Sequence, residues 1–394
     1  MRYAVLALLS GQQYLAVSFL YAAVPAWLRA NGASLAVIGW FGVVFAAFTL
    51  NVLWAPLVDR RQLLRLGLRR GWILCMQLAA SLALAAMAAL SPRDHVLALL
   101  GCSILLAAVA ATQRIATLGY ATETLAPSER GYGAAAMGWG MSLGNAVGGL
   151  AGLLSLQAHG WPATLYSAAL LMAVLAASVF LMKEPARMAV PAAGLPAMLR
   201  ATMRRPGLWR AVALTCPASF GVAIAFSMAA PWLVDLGFEL GQAGLAMALA
   251  TLIAFSTVGP LWGWTMRRVE QRRAVLLGAL MLAPALLALA LLHAQLPPRA
   301  FGLCAVLAVF CALAVQSVSF NAYFYSLARP GEAATDVTLL TAVMSLAAMA
   351  GFATSGYVAQ AWGYTSTLLC AALGYACTAL LARAPRRGAS TGAA

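Results

Sequence analysis

One arginine, Arg114, lies deep inside an otherwise apolar stretch, with Gln113 beside it and Thr117 about one helical turn further on. An arginine at the centre of a membrane helix costs roughly 2.5–3.5 kcal/mol, so such a residue usually turns to a water-filled cavity or a partner. No acid stands close to it in sequence. It could therefore receive a carboxylate or phenolate, which a guanidinium holds through two parallel bonds. The competing reading is an arginine that snorkels to the nearer interface. The other polar residues at such depth are Gln12, Gln13, Asn51, Asn145, Gln316 and Asn321, with Tyr14, Tyr21, Tyr120, Trp139, Phe220, Tyr323 and Tyr325 near them. An amide away from water needs a partner, so each is either glue between helices or cavity lining. The expected binding set is Arg114, Gln113, Gln316, Asn321, Gln12, Gln13, Thr117, Tyr120, Trp139 and Tyr323.

What is missing is also informative. All ten acids, from Asp59 and Asp94 to Glu332 and Asp336, fall in loops or at the ends of apolar stretches, as do His95, His159 and His293. No buried carboxylate is on offer as a proton carrier. Asp59 beside Arg60 and Arg61, and Glu129 beside Arg130, read instead as gate residues that pair across a mouth in one state and separate in another. The seven cysteines show no metal-ligand spacing and read as structural filler. There is no phosphate-binding glycine motif, no nucleophile–base pair and no metal cluster. The expectation is a protein that is not an enzyme and has no cofactor or metal.

The elements that must position these residues follow from composition. Hydrophobic residues make up 63% of the 394 and charged residues 9%, against about 25% charged in a soluble domain. The partner of so much apolar surface is lipid. Twelve apolar stretches, from 4–28 to 365–382, each have the roughly 18–26 residues that cross a bilayer as a helix. The net charge of +15 would suggest nucleic acid in a soluble protein. Here 21 of the 25 basic residues lie in the termini and even-numbered loops, which by the positive-inside rule puts both termini in the cytoplasm. The first stretch reads as a retained span rather than a signal peptide, because Gly11-Gln12-Gln13 interrupts it and a copy of it recurs later.

The two halves are copies. At an offset of 205, Trp27 meets Trp232, Gly32 meets Gly237 and Gly39 meets Gly244. At 203, Gln113 meets Gln316, Tyr120 meets Tyr323, Gly148 meets Gly351 and Gly160 meets Gly363. An all-α membrane protein of two pseudo-symmetric six-helix bundles follows, 1–182 and 209–382, joined by a hydrophilic linker at 183–208 and ending in a basic tail, 383–394. A duplicated apolar bundle marks a secondary transporter whose site lies between the repeats near the midplane. Gln113 and Gln316 gain weight as site residues because both copies keep them. Gly140, Gly144, Gly148 and Gly152 form a small-residue row that the second half echoes, which favours a mobile seam between bundles over tight packing within one.

At the loops the residues resemble a known group. Trp54-Ala55-Pro56-Leu57-Val58-Asp59-Arg60, then Arg69-Arg70-Gly71-Trp72 and Gln77, the run ATQRIATLGY at 111–120 and ETLAPSERGYGAA at 123–135 resemble the AmpG-like branch of the major facilitator superfamily. That resemblance implies a permease. The branch includes anhydromuropeptide permeases, acetyl-CoA transporters and shorter RhtX/FptX-type siderophore permeases, and in size this chain is closest to the last. One departure stands out: the family's acidic positions in the fourth span hold Arg114 and Leu118 here. The expected function is alternating-access uptake of a small organic anion at the bacterial inner membrane, by a functional monomer in contact with lipid and not with nucleic acid. A siderophore or its iron chelate is the first cargo and an anhydromuropeptide the second. An exporter of drugs or siderophores, and a sensor that no longer transports, are the alternatives.

Overall fold

Chains this apolar satisfy their backbone groups internally, and in the computed structural model nearly every described segment is helical. The structure describes residues 2–92, 94–125, 129–184, 208–327 and 333–383. The linker from 185 to 207, the tail from 384 and Glu332 lie outside these.

The helices are α1 (Arg2–Ala30), α2 (residues 35–60), α3 (Leu68–Ala88), α4 (Val96–Thr124), α5 (residues 130–159), α6 (residues 161–181), α7 (Leu208–Asp235), α8 (Leu240–Met266), α9 (Gln271–Leu291), α10 (Pro298–Leu327), α11 (Ala333–Trp362) and α12 (Thr365–Arg383). Ten continuous segments among the described residues are long and apolar enough to span. One of them, Ala136–Leu181, turns at Gly160 and so supplies both α5 and α6. Helix α2 escapes that tally because 3-10 turns at Phe41–Phe45 and Asn51–Leu53 break it. The number is thus consistent with the twelve expected.

Each half repeats the other in backbone detail. Helix α1 ends with Gly32 at φ 86° and α7 with Gly237 at φ 80°, a left-handed conformation open to glycine at little cost. The closing bonds match too: the Ala33 amide donates to Leu28 as Phe238 does to Leu233, and Gly32 donates to Arg29 as Gly237 does to Val234. Gly160 and Gly363 both adopt φ 76°. Trp27 stacks on Trp161, and its copy Trp232 stacks on Tyr364.

The glycine row has a different role from the one expected. A Cβ on Gly140, Gly144 or Gly148 would collide with the backbone carbonyl oxygens of Ala7, Gly11 and Leu15. The row therefore seats α5 against α1 of its own half, and Gly351 does the same for α11 against Phe220 of α7. Both copies keep small residues because each half needs the same close internal packing.

The halves meet along two other seams. Gly39 and Gly42 of α2 lie against Phe352, Ala353 and Gly356 of α11, and Leu153 and Leu154 of α5 lie against Gly241 and Gly244 of α8. Both seams occupy the end of the molecule away from the chain termini, here called the distal end. A buried apolar cluster runs across them, from Ala16, Phe41 and Leu153 to Met228, Ala243 and Phe310.

Candidate functional site

The same helix faces that are buried at the distal end are bare at the terminal end. On α4, Ala107, Ala111, Arg114 and Leu118 form one stripe at spacings of three and four. Ala107 and Ala111 are fully buried, whereas Leu118 is 44% exposed and Arg114 is exposed. On α5, Leu153 and Leu154 meet α8, but Leu143 and Trp139, about three and four turns nearer the terminal end, are 61% and 72% exposed. On α10, Phe310 is buried against Phe226 of α7, while Asn321 on the same stripe is exposed. On α5 the face that meets the opposite half at Leu153 and Leu154 is bare further along, which marks a gap between the halves that opens toward the terminal end. Ser317 and Asn321 are the copies of Arg114 and Leu118, so the facing stripes are related by the internal symmetry.

An aromatic cluster closes the gap from above. Tyr21 of α1 lies 5.4 Å from Phe226, which in turn meets Phe310 and Phe352, and Phe352 stacks on Phe45 of α2 at 4.4 Å. Tyr21 donates to the Asn145 side-chain oxygen of α5 at 3.2 Å, and Ser18 donates to the Asn145 carbonyl. A small pocket beside the cluster is lined by Tyr21, Phe41, Phe45, Ser227 and Phe352.

Of the expected binding residues, Arg114, Asn321 and Trp139 lie on the bared stripes. Arg114 makes no ion pair or hydrogen bond with the described residues. Its exposure removes the burial cost that a helix-centre position implied. Several others turn away from the gap. Gln12 donates to the Leu175 carbonyl at 2.7 Å and to Ser178 of α6, and accepts from Gln77 of α3. Gln113 reaches the Leu9 carbonyl at 3.4 Å. Gln316 accepts from the Tyr375 hydroxyl at 2.9 Å and donates weakly to Ser219. Both copies of the glutamine thus tie the fourth helix of a half to its neighbours, which explains their recurrence without a cargo. Gln13, Thr117, Tyr120 and Tyr323 are buried within their halves. Tyr14, which sequence reasoning named only in passing, shares the partly open face of α1 with Tyr21.

The expected gate residues sit at the terminal end of the first half. Asp59 pairs with Arg69 of α3, within its own half, at 2.8 Å. Arg69 is 4% exposed and also grips Glu123 of α4 at 2.5 Å. Glu184 accepts from the Arg69 and Arg70 amides, closing orphan donors at the start of α3 with a carboxylate. Helix ends α2, α3, α4 and α6 are thereby tied within one half. Glu129 is half-buried, and the Arg130 side chain lies outside the described residues.

Sequence reasoning missed the distal end. Arg29 of α1 donates to both oxygens of Asp235 of α7, at 2.5 and 2.7 Å. The Tyr364 hydroxyl donates to the same carboxylate at 2.6 Å, and Trp40 donates to the Tyr357 hydroxyl at 2.8 Å. Burial, then the Asp235 hydrogen bond and charge, hold the Tyr364 phenol well above its usual range, so it remains a donor. Loop charges read singly carry no signal of pairing 206 residues apart.

Comparison with known proteins agrees with this architecture. The family model described as Major Facilitator Superfamily matches residues 6–351. An anhydromuropeptide permease of Escherichia coli is 31% identical over 70% of this chain, which spans 57% of that relative's length. A protein described as putative transporter AmpG 4, from Rickettsia conorii, is 25% identical over 83% of this chain and 82% of its own. Among solved structures, a bacterial homolog of the human lysosomal transporter Spinster, in an inward-facing and unoccupied conformation, superposes with a TM-score of 0.75 over 97% of both chains at 14% identity. A nucleoside transporter, NupG, does so with a TM-score of 0.70 at 13% identity. A family match over most of the chain leads to one statement: the chain belongs to the Major Facilitator Superfamily, and its AmpG-type relatives support the AmpG-like branch.

Proposed function

We propose that this protein is an alternating-access transporter of a small organic anion in the bacterial inner membrane, in a state open to the cytoplasm. The observation that carries the reading is the α4 stripe, buried at Ala107 and Ala111 and exposed at Arg114, whose guanidinium has no partner among the described residues. The distribution of basic residues supports cytoplasmic termini, which makes the terminal end the inner mouth and the distal end periplasmic. The cargo's anionic group binds Arg114 and its less polar part lies toward Tyr21, Phe45, Phe226 and Phe352.

An anhydromuropeptide is the leading cargo. It carries carboxylates for Arg114 and a sugar ring whose apolar face suits an aromatic wall, and the E. coli relative bears that name. A siderophore is the second reading, favoured only by the aromatic cluster, which would stack on a flat phenolate ring; none of the relatives described above is named for one. The acids and arginines at the inner mouth, Asp59, Arg60, Arg61, Glu129 and Arg130, face the second half when that mouth closes. The Arg69 cluster keeps the first half rigid as it moves.

Counterflow in proteoliposomes tests the reading. Labelled anhydromuropeptide should exchange against the same unlabelled compound and not against ferric siderophores. Exchange of a ferric siderophore alone would select the second cargo. Binding without counterflow would leave a sensor, and uptake confined to inverted vesicles would leave an exporter.

A further inference from the structure

The distal seam contains one hydrogen bond made twice. Gln157, near the end of α5, accepts from the Gly241 amide of α8 at 2.7 Å. Gln360, near the end of α11, accepts from the Ala36 amide of α2 at 3.1 Å. Gln157 and Gln360 are copies at the offset of 203, and Ala36 and Gly241 are copies at 205. Each half therefore gives the other the same bond about the internal two-fold.

The amides concerned need an outside partner. Ser34 caps α2 by accepting from Val37, and Glu239 caps α8 through a capping box with Gln242. Those caps satisfy the third amide of each helix and leave the second without a partner in its own half. Each glutamine supplies one from across the seam. Gly241 has no side chain to obstruct this: a Cβ there would lie 2.8 Å from the Gln157 oxygen. Gln157 also donates to Glu239 at 2.7 Å, so the α8 latch has a second bond that the α2 latch lacks.

We infer that Gln157 and Gln360 are paired latches of the periplasmic gate, released together when the transporter turns outward. Their position suits repeated opening. The Gln360 bond is exposed and the Gln157 bond only partly buried, so water takes over the freed amides and each latch adds a modest net bias. In the outward state α5 leaves α8 and α11 leaves α2. One rotation breaks both bonds because the symmetry relates them.

The test needs no cargo, so it stands apart from the choice of substrate. Ser227 lies in the pocket behind the gate. In intact cells, a membrane-impermeant maleimide should label a Ser227→Cys variant slowly, above the background set by the parent's own cysteines. Gln360→Ala should raise that rate about fivefold by loss of one net hydrogen bond, Gln157→Ala at least as much because it loses two, and the double variant about 25-fold or more. Gln360→Glu keeps an acceptor at the start of α2 and should label at the parental rate or slower. The inference fails if both single variants label at the parental rate, or if Gln360→Glu labels as fast as Gln360→Ala. Melting temperatures close to the parent's separate gate opening from unfolding.

Discussion

At the residue scale, Arg114 and Arg69 show how placement decides what a charge does. Arg114 is exposed and has no partner among the described residues, so truncating it should cost the fold little, within about 0.5 kcal/mol as for other exposed sites. Arg114→Ala should nevertheless abolish the thermal shift that an anionic cargo produces, and Arg114→Lys should restore part of it, because an ammonium cannot copy a planar two-bond grip. Full transport by Arg114→Ala would remove this residue from the site. Arg69 is the opposite case. It is buried between Asp59 and Glu123, and its loss leaves Glu123 without its cation in a mostly closed place. Arg69→Ala should lower stability by about 3 kcal/mol, whereas Asp59→Asn, at a half-open site, should cost about 1 kcal/mol. Equal melting temperatures for the two variants would contradict that assignment.

Elements depend on contacts that single residues do not announce. Helix α5 can sit on α1 only because Gly140, Gly144 and Gly148 let backbone meet backbone. Gly144→Val should therefore destabilise by about 3 kcal/mol or more, through overpacking against the Gly11 carbonyl. Gly138, on the same helix, has open space where a Cβ would stand. Gly138→Ala should be neutral or stabilise by up to about 1 kcal/mol through helix propensity. Thermal unfolding in lipid nanodiscs measures both. A similar cost for the two substitutions would mean that α5 packs on some other face.

Across the whole molecule, stability of this state rests on the distal end. Arg29, Asp235 and Tyr364 join the halves through charge-assisted bonds, and partial exposure keeps them weak enough to break in a cycle. Asp235→Asn should shift the population toward the outward state, read as faster periplasmic labelling of a cysteine at Ser227. An unchanged rate would exclude the ionic lock from gating. The pH dependence has a definite sign. The Tyr364 phenol is raised in the folded protein, so its contribution is fully present below the unfolded value near 10 and is lost only as pH rises through the higher folded value. Labelling should therefore show no Tyr364-linked change between about pH 6 and pH 9. A Tyr364→Phe variant that alters the pH profile in that range would refute this.

The span pattern and the duplication were legible in the chain alone. They depend on local composition and on repeats, which lipid solvation imposes residue by residue. The pairs Gly32 with Gly237 and Gly160 with Gly363 even foretold matched turn geometry, since a positive φ restricts the residue type. Arg114 and Asn321 could be nominated because a polar group in an apolar span must face something. Which helix face is left bare is a matter of packing angles, and these separated the exposed Arg114 from its buried neighbour Gln113 and that residue's copy Gln316. The glycine row was visible as a row, but spacing alone could not say whether its partner belonged to the same half. Arg29 with Asp235, and Gln157 with Gly241, lie 206 and 84 residues apart. Only the docking of one half on the other brings them together, and a contact between docked surfaces leaves no periodicity in the chain.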